Sequence, residues 1–275
     1  MSAGTKTRLN KIPQKLGIIA GGGDIPRQLI DACLENDIQP VVVGLQNFAN
    51  NIDVDLWARI GAGEKIIDFL KHEDVKNIVL IGAIKKPHLL NLWPDFKTFL
   101  FFLRVWIGSF GDSKILDAAR VEAEKYGFTI RGVHEFLPNL LMDEGFLSNN
   151  QNIDTYLKDI EIGIIESKQW GGEDFGQSVL VKNGIIIGRE GNKGTSALIK
   201  SAGEEGAILV KMCKPQQDKN LDLPTIGVNT VKECAEKKMA GIAVEANLTL
   251  VVDKIAVKNY ADEYGLFVYG ITANG

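Results

Sequence analysis

The sequence predicts an α/β protein of two domains: an N-terminal Rossmann-like parallel sheet and a C-terminal α/β domain with a mixed sheet. Three observations carry this. Residues 16–44 read as strand, glycine loop, helix and strand, the unit that opens a parallel sheet. Asn183-Gly184 lies between two β-type runs and signals a type I′ hairpin, which forces antiparallel pairing into the second half. Between them, Asp143 to Asn152 shifts to Asp, Glu, Gly, Ser and Asn, the composition of a linker. The expected division is 14–134, a linker over 135–152, and 153–275.

The elements follow in order. Leu16 to Ala20 is a short buried strand. Gly21-Gly22-Gly23 follows, with Asp24 as N-cap and Pro26 at the helix start. Ile25, Leu29, Ile30, Cys33 and Leu34 recur at helical spacing. Pro40 to Gly44 is the second strand. Glu64 to His72 is a helix and Asn77 to Gly82 the third clear strand, followed by the polar loop from Ala83 to His88. Pro94-Asp95 opens an apolar helix whose core, Phe99 to Phe110, is broken by Arg104. Asp112 is placed to cap a helix from Lys114 to Tyr126, and Gly127 to Ile130 is a strand. Beyond the linker, Ile153 to Lys168 is helical in period. The hairpin strands are Gln177 to Val181 and Ile185 to Ile187. Ser196 to Ser201 is a helix with Thr195 as its N-cap. Ala207 to Val210 is a strand, Val231 to Met239 a helix, and Gly241 to Val244 and Leu248 to Val252 are strands. Asp253 caps a helix to Tyr264, and Leu266 to Tyr269 is the last strand.

The totals bound the function. The chain has 275 residues, 45% of them hydrophobic, and a formal net charge of −4, enough for a full core and no global pull toward nucleic acid. Three cysteines, scattered along the chain, form neither a disulfide framework nor a zinc pattern, which fits a reducing, cytosolic compartment. The first fourteen residues are basic and polar and read as a loose leader rather than a signal peptide. No run reaches the roughly 18 apolar residues of a membrane span.

The candidate chemistry gathers after the strand at 207–210. Lys211, Lys214, Gln217, Asp218, Lys219 and Asp222 crowd one loop, bounded by Pro224 and Gly227. Polar loops at the carboxyl ends of strands are where α/β proteins place ligands. Lysines neutralise phosphate oxygens and carboxylates hold Mg²⁺, so the loop points to a metal-dependent reaction on a phosphate compound; a solvated surface loop is the alternative. The glycine loop Gly21 to Gly23 is either an anion cradle or a tight turn. The second strand ends in Gly44-Leu45-Gln46 without the acid that grips an NAD ribose, which disfavours a dinucleotide oxidoreductase. Lys86 is a candidate phosphate contact. His134-Glu135 is either a proton-transfer pair or structural.

These pieces, taken in order, resemble the LpxI family, the UDP-2,3-diacylglucosamine pyrophosphatases of lipid A biosynthesis. The most specific are Lys214-Pro215 with Gln217, and Asp222-Leu223-Pro224-Thr225-Ile226-Gly227. Leu16 to Gly23, Gly82 with Lys86-Pro87, Pro94-Asp95, Gly111-Asp112, Gly132 to Glu135, Gly176-Gln177, Gly194-Thr195, Val251 to Asp253 and Gly265 to Val268 agree. The resemblance runs from about Lys15 to Gly270. It implies a Mg²⁺-dependent cytoplasmic hydrolase in which water attacks the α-phosphorus, giving UMP and 2,3-diacylglucosamine 1-phosphate (lipid X), with the lipid held between the two domains.

The resemblance places the essential aspartate at Asp222, as catalytic group or metal ligand, with Lys214 and Gln217 beside it and Asp112 as a second metal ligand. Gly21, Gly22, Gly23, Lys86, Lys211, Gly194, Thr195 and Thr225 are the expected polar substrate contacts. Phe101 and Phe102 are either acyl contacts or plain core. Peripheral contact with the inner membrane and a homodimer complete the partner expectations. Similar proteins often carry carboxylates where this chain has Ser113 and Ser196. A non-catalytic lipid- or nucleotide-binding protein of the same fold is therefore the competing reading.

Overall fold

The computed structural model describes residues 12–84 and 120–272. The expected contacts at Lys86, Phe101, Phe102 and Asp112 lie outside these residues. The chain divides into two compact units, the first including residues 12–84 and 122–131 and the second 132–272.

The first unit is a five-stranded parallel sheet in the order β3-β2-β1-β4-β5. Its strands are β1 (Lys15–Ala20), β2 (Gln39–Leu45), β3 (Leu56–Ala58), β4 (Asn77–Ile81) and β5 (Thr129–Ile130). Helices α1 (Ile25–Glu35) and α2 (Gly63–His72) provide the crossovers. Both strand faces are covered, which is why β1 and β2 read as unbroken apolar runs: Leu16, Ile18, Ala20 and Val41 to Val43 are all buried. Asp24 is the N-cap residue of α1 but makes no side-chain cap bond, and Pro26 occupies the first turn as its fixed φ favours.

The second unit carries a mixed six-stranded sheet in the order β6-β13-β11-β9-β7-β8. The strands are β6 (Gly145–Phe146), β7 (Ser178–Lys182), β8 (Ile185–Arg189), β9 (Ile208–Lys211), β11 (Gly241–Glu245) and β13 (Phe267–Ile271). β9, β11 and β13 run parallel, while β7 pairs antiparallel with both β8 and β9. β10 (Thr225–Gly227) and β12 (Leu250–Val252) form a small parallel sheet apart. Helix α3 (Leu157–Gly172) covers one face of the large sheet. On that face Ile160 meets Val179, Val181, Ile208, Val210 and Phe267. Helices α4 (Gly194–Ala202), α5 (Val228–Glu236) and α6 (Lys254–Tyr264) cover the other, where Ile199, Val231 and Val257 pack with Leu180, Leu209, Ile242 and Val268. The alternation of neighbours in β7 and β9 between the two faces is the period-2 rule acting on a strand buried on both sides.

The hairpin forms as its sequence dictates. Asn183 and Gly184 both have positive φ, as a type I′ turn requires. Their N–H groups donate to the buried carboxylate of Asp159 on α3, at 2.9 and 2.6 Å. Asp253 caps α6, accepting from the Ala256 N–H at 2.9 Å. The stretch 141–148 belongs to the second unit: Met142 sits in its core and β6 pairs with β13.

Candidate active site

Strand direction decides where the polar groups meet. β9 and β11 end at Lys211 and Glu245. β7 runs the opposite way, so its first residue, Ser178, stands opposite Lys211. Glu190 follows directly on β8, and its N–H donates to the Ser178 carbonyl at 2.9 Å. The carboxyl end of the parallel strands therefore collects the start of β7 and the residue after β8 as well.

At this edge a buried polar cluster forms. Lys211 is 6% exposed and Glu190 8%. Lys211 Nζ donates to Thr195 Oγ1 at 2.9 Å, and Thr195 Oγ1 donates to Glu190 Oε1 at 2.8 Å. Ser178 Oγ lies 3.2 Å from Thr195 Oγ1, and Glu190 Oε2 accepts from the Gln177 N–H at 3.0 Å. Burial pushes the Glu190 carboxyl up, but the Lys211 charge and the bonds from Gln177, Ser178 and Thr195 outweigh it, leaving Glu190 below the usual glutamate value. Burial pulls the Lys211 ammonium below the usual lysine value, against the opposing charges of Glu190 and Asp222.

The loop after β9 is built around Gln217. Its Oε1 accepts from the Lys214 N–H at 3.0 Å, and Cys213 Sγ lies 3.4 Å away. Because that oxygen faces an N–H, the amide orientation is determined, and Nε2 donates to Asp222 Oδ2 at 2.6 Å. Asp222 is exposed, and its N–H is tied to the Asp218 carbonyl. The Cys213 N–H donates to the buried Glu245 carboxylate at 2.8 Å. Burial, reinforced by Glu245, pushes the Cys213 thiol up to about 11.

The structure thus gathers Asp222, Gln217, Lys211 and Thr195, with Gly194 opening α4 at positive φ. Lys214 contributes its backbone; its ammonium pairs with Asp174 at 2.7 Å, both side chains largely buried. The Thr225 hydroxyl donates to the Leu223 carbonyl at 3.0 Å. Thr195 is not an N-cap: α4 begins at Gly194 after Lys193, which places the Thr195 side chain in the first turn, turned to Glu190 and Lys211. Ser196 donates to Glu233 on α5 at 2.6 Å. Sequence reasoning missed Glu190, although a charged residue directly after an apolar strand is the signal that picked out Lys211.

In the first unit Gly21 to Gly23 lie between the ends of β1 and β4, the point where strand order reverses and where open α/β sheets bind ligands. The Gly21 and Gly22 N–H groups are committed, donating to the Ile81 and Ala83 carbonyls at 2.8 and 2.9 Å. The glycines serve a close backbone approach here: a Cβ on Gly21 would lie 2.9 Å from the Ala83 oxygen, and one on Gly82 would lie 2.7 Å from the Gly21 carbonyl carbon. His134 is partly buried, and its ring packs over Gly132. Burial pulls it below the usual histidine value, with Glu135 opposing and Lys219 adding to the fall.

Residues 15–140 match the LpxI N-terminal domain and residues 143–269 the LpxI C-terminal domain. The UDP-2,3-diacylglucosamine pyrophosphatase LpxI of Caulobacter vibrioides is 32% identical over 273 residues, covering 94% of this chain and 98% of that protein. The chain belongs to the LpxI family. Both family domains thus coincide with α/β folds, and the Asp222 loop and the Lys211 cluster fall within the LpxI C-terminal domain. No described helix is long and apolar enough to cross a membrane.

Proposed function

We propose that this chain hydrolyses the pyrophosphate of UDP-2,3-diacylglucosamine to UMP and 2,3-diacylglucosamine 1-phosphate (lipid X), in lipid A biosynthesis at the cytoplasmic side of the inner membrane. The observation that carries it is one polar edge holding a buried ammonium, Lys211, and a carboxylate, Asp222, oriented by Gln217. Family membership supplies the substrate class.

Water adds to the α-phosphorus, and the bond from that phosphorus to the bridging oxygen breaks. The bridging oxygen leaves with the sugar phosphate, and the water oxygen stays in UMP. Negative charge grows on the phosphate oxygens during this step, and an ammonium already in place stabilises it without reorganisation. Asp222 accepts a proton from the water or fixes its direction; Gln217 holds the carboxylate from one side. The donor set also fits Mg²⁺, which takes one or two carboxylates and otherwise uses phosphates and water. Asp222 would hold it, and the ion would supply Lewis-acid polarisation of the phosphate oxygens.

The test is UMP release from UDP-2,3-diacylglucosamine in ¹⁸O water, with Mg²⁺ and with EDTA. Label in UMP and loss of turnover in EDTA are expected. No release under either condition would favour the non-catalytic binding reading, and label in lipid X would move the attack to the other phosphorus.

A further inference from the structure

We infer that Glu190 is a positioning residue of this site: it fixes the direction of the Thr195 hydroxyl and, through it, holds the Lys211 ammonium at the end of β9 for a substrate phosphate. This rests on the function proposed above and assigns Thr195 to positioning rather than to substrate contact.

The proton order allows one arrangement. An ammonium only donates and a carboxylate only accepts. Thr195 therefore accepts from Lys211 and gives its single proton to Glu190, and the Ser178 hydroxyl donates if it bonds to Thr195. Thr195 has no proton left for a phosphate. The group that meets the substrate is the ammonium.

Glu190 is itself held by elements outside the loop that carries Asp222. Its carboxylate accepts from the Gln177 N–H, its N–H reaches the Ser178 carbonyl, and its carbonyl accepts from the Trp170 indole at 2.7 Å. Gly176 packs flush against it, since a Cβ there would lie 2.6 Å from the Glu190 oxygen. Stability does not account for such a cluster. Burying a lysine and a glutamate costs several kcal/mol each, and apolar side chains of similar volume often serve a fold as well or better. A fixed, charged ammonium at a phosphate site does account for it.

Glu190→Gln keeps the shape and reverses one donor. The Gln177 N–H still requires an acceptor, so the new amide turns its NH₂ toward Thr195 and displaces that proton. We expect kcat for UMP release to fall about 10- to 100-fold, the range for losing a group that orients a site residue, with KM within about twofold. Thr195→Val should lose as much, and Glu190→Gln in that background should add little, because both act through one link. Thr195→Ser should recover most of what Thr195→Val loses, which keeps the test open should Glu190→Gln fail to fold. Equal effects of Ser and Val, or full additivity of Glu190→Gln with Thr195→Val, would overturn the inference.

A readout independent of turnover separates this from the function itself. The buried ammonium should give a slowly exchanging ¹⁵Nζ resonance, assigned by its loss in Lys211→Met, that shifts or vanishes in Glu190→Gln. An unmoved resonance overturns the role of Glu190 even in a fully active enzyme. Absence of UMP release from the wild type defeats the functional reading alone.

Discussion

Gly163→Ala in α3 should destabilise the protein, against the ordinary trend for a helix interior. Replacing glycine by alanine in a helix is worth about 1 kcal/mol in favour of folding. Here the added Cβ would lie 2.4 Å from Val210 Cγ2, 2.7 Å from Val210 Cβ and 3.2 Å from Val181 Cγ2. Carbon atoms pack at about 3.5–4.0 Å, so α3 must back away from β9 or the strand must bend. Val210 is β-branched and fully buried, so its rotamer has nowhere to go. Overpacking of this kind costs about 1–3 kcal/mol, and the short contacts put the cost near the upper end. The net effect is about 1–2 kcal/mol of lost stability, or a fall in Tm of about 3–8 °C for a domain of this size. Thermal and urea unfolding measure it. Val210→Ala in the same chain should offset part of the loss, giving a coupling of about 1 kcal/mol or more. A Tm that rises, or a double variant that is strictly additive, would refute the packing argument. Because Val210 precedes Lys211, the shifted strand should also slow UMP release.

Three further outcomes are expected. Asp222→Asn keeps the size of the side chain and removes its charge, and should lower kcat about 10²- to 10⁴-fold while far-UV circular dichroism and Tm stay near wild type; turnover within threefold would remove Asp222 from the chemistry. Cys33, Cys213 and Cys234 are all buried, and burial raises Cys33 and Cys213 to about 11 and Cys234 further; a disulfide reagent at pH 8 should therefore find all three slow in the native protein and fast in urea, and a native thiol reacting at the unfolded rate would contradict the burial. The Glu190 carboxyl is held below its usual value, so it contributes stability above about pH 4.3, its unfolded value, and that contribution is lost as pH falls through the lower folded value; Glu190→Gln should flatten this part of the acid unfolding curve, and parallel curves for variant and wild type would count against it.

Strands buried on both faces were legible because their apolar runs have no polar phase to hide in: β1, β2, β4, β9 and β11 all fall where runs of Ile, Val and Leu lie between turn residues. The hairpin was legible because Asn183-Gly184 specifies both positive φ angles locally. β6 was not, since two residues of linker composition become a strand only through Tyr269 and Gly270 far along the chain. β10 was not either; its partner β12 is equally remote. The same limit governs the site. Lys211 and Asp222 stood out because the loop that holds them is dense with charge. Glu190 reads as one more loop acid until β7 brings Ser178 opposite Lys211. Lys214 reads as a phosphate ligand until Asp174 is seen to take its ammonium.

What the fold adds to the sequence is a reversal of direction inside one sheet. A purely parallel sheet offers a ligand only the residues that follow its strands. With β7 inserted antiparallel between β9 and β8, which run the same way, the ligand end also receives the residue that starts β7. Ser178 arrives by that route, Lys211 and Glu190 from the ends of β9 and β8, and Thr195 from the first turn of the helix that follows β8. Two strand directions and one helix start surround a single ammonium with a hydroxyl and a counter-charge while it stays buried. Shortening the hairpin around Asn183-Gly184 would leave Lys211 in place and slide Glu190 in register against Ser178. The cluster would therefore fail through β8 and not through the loop that carries Asp222.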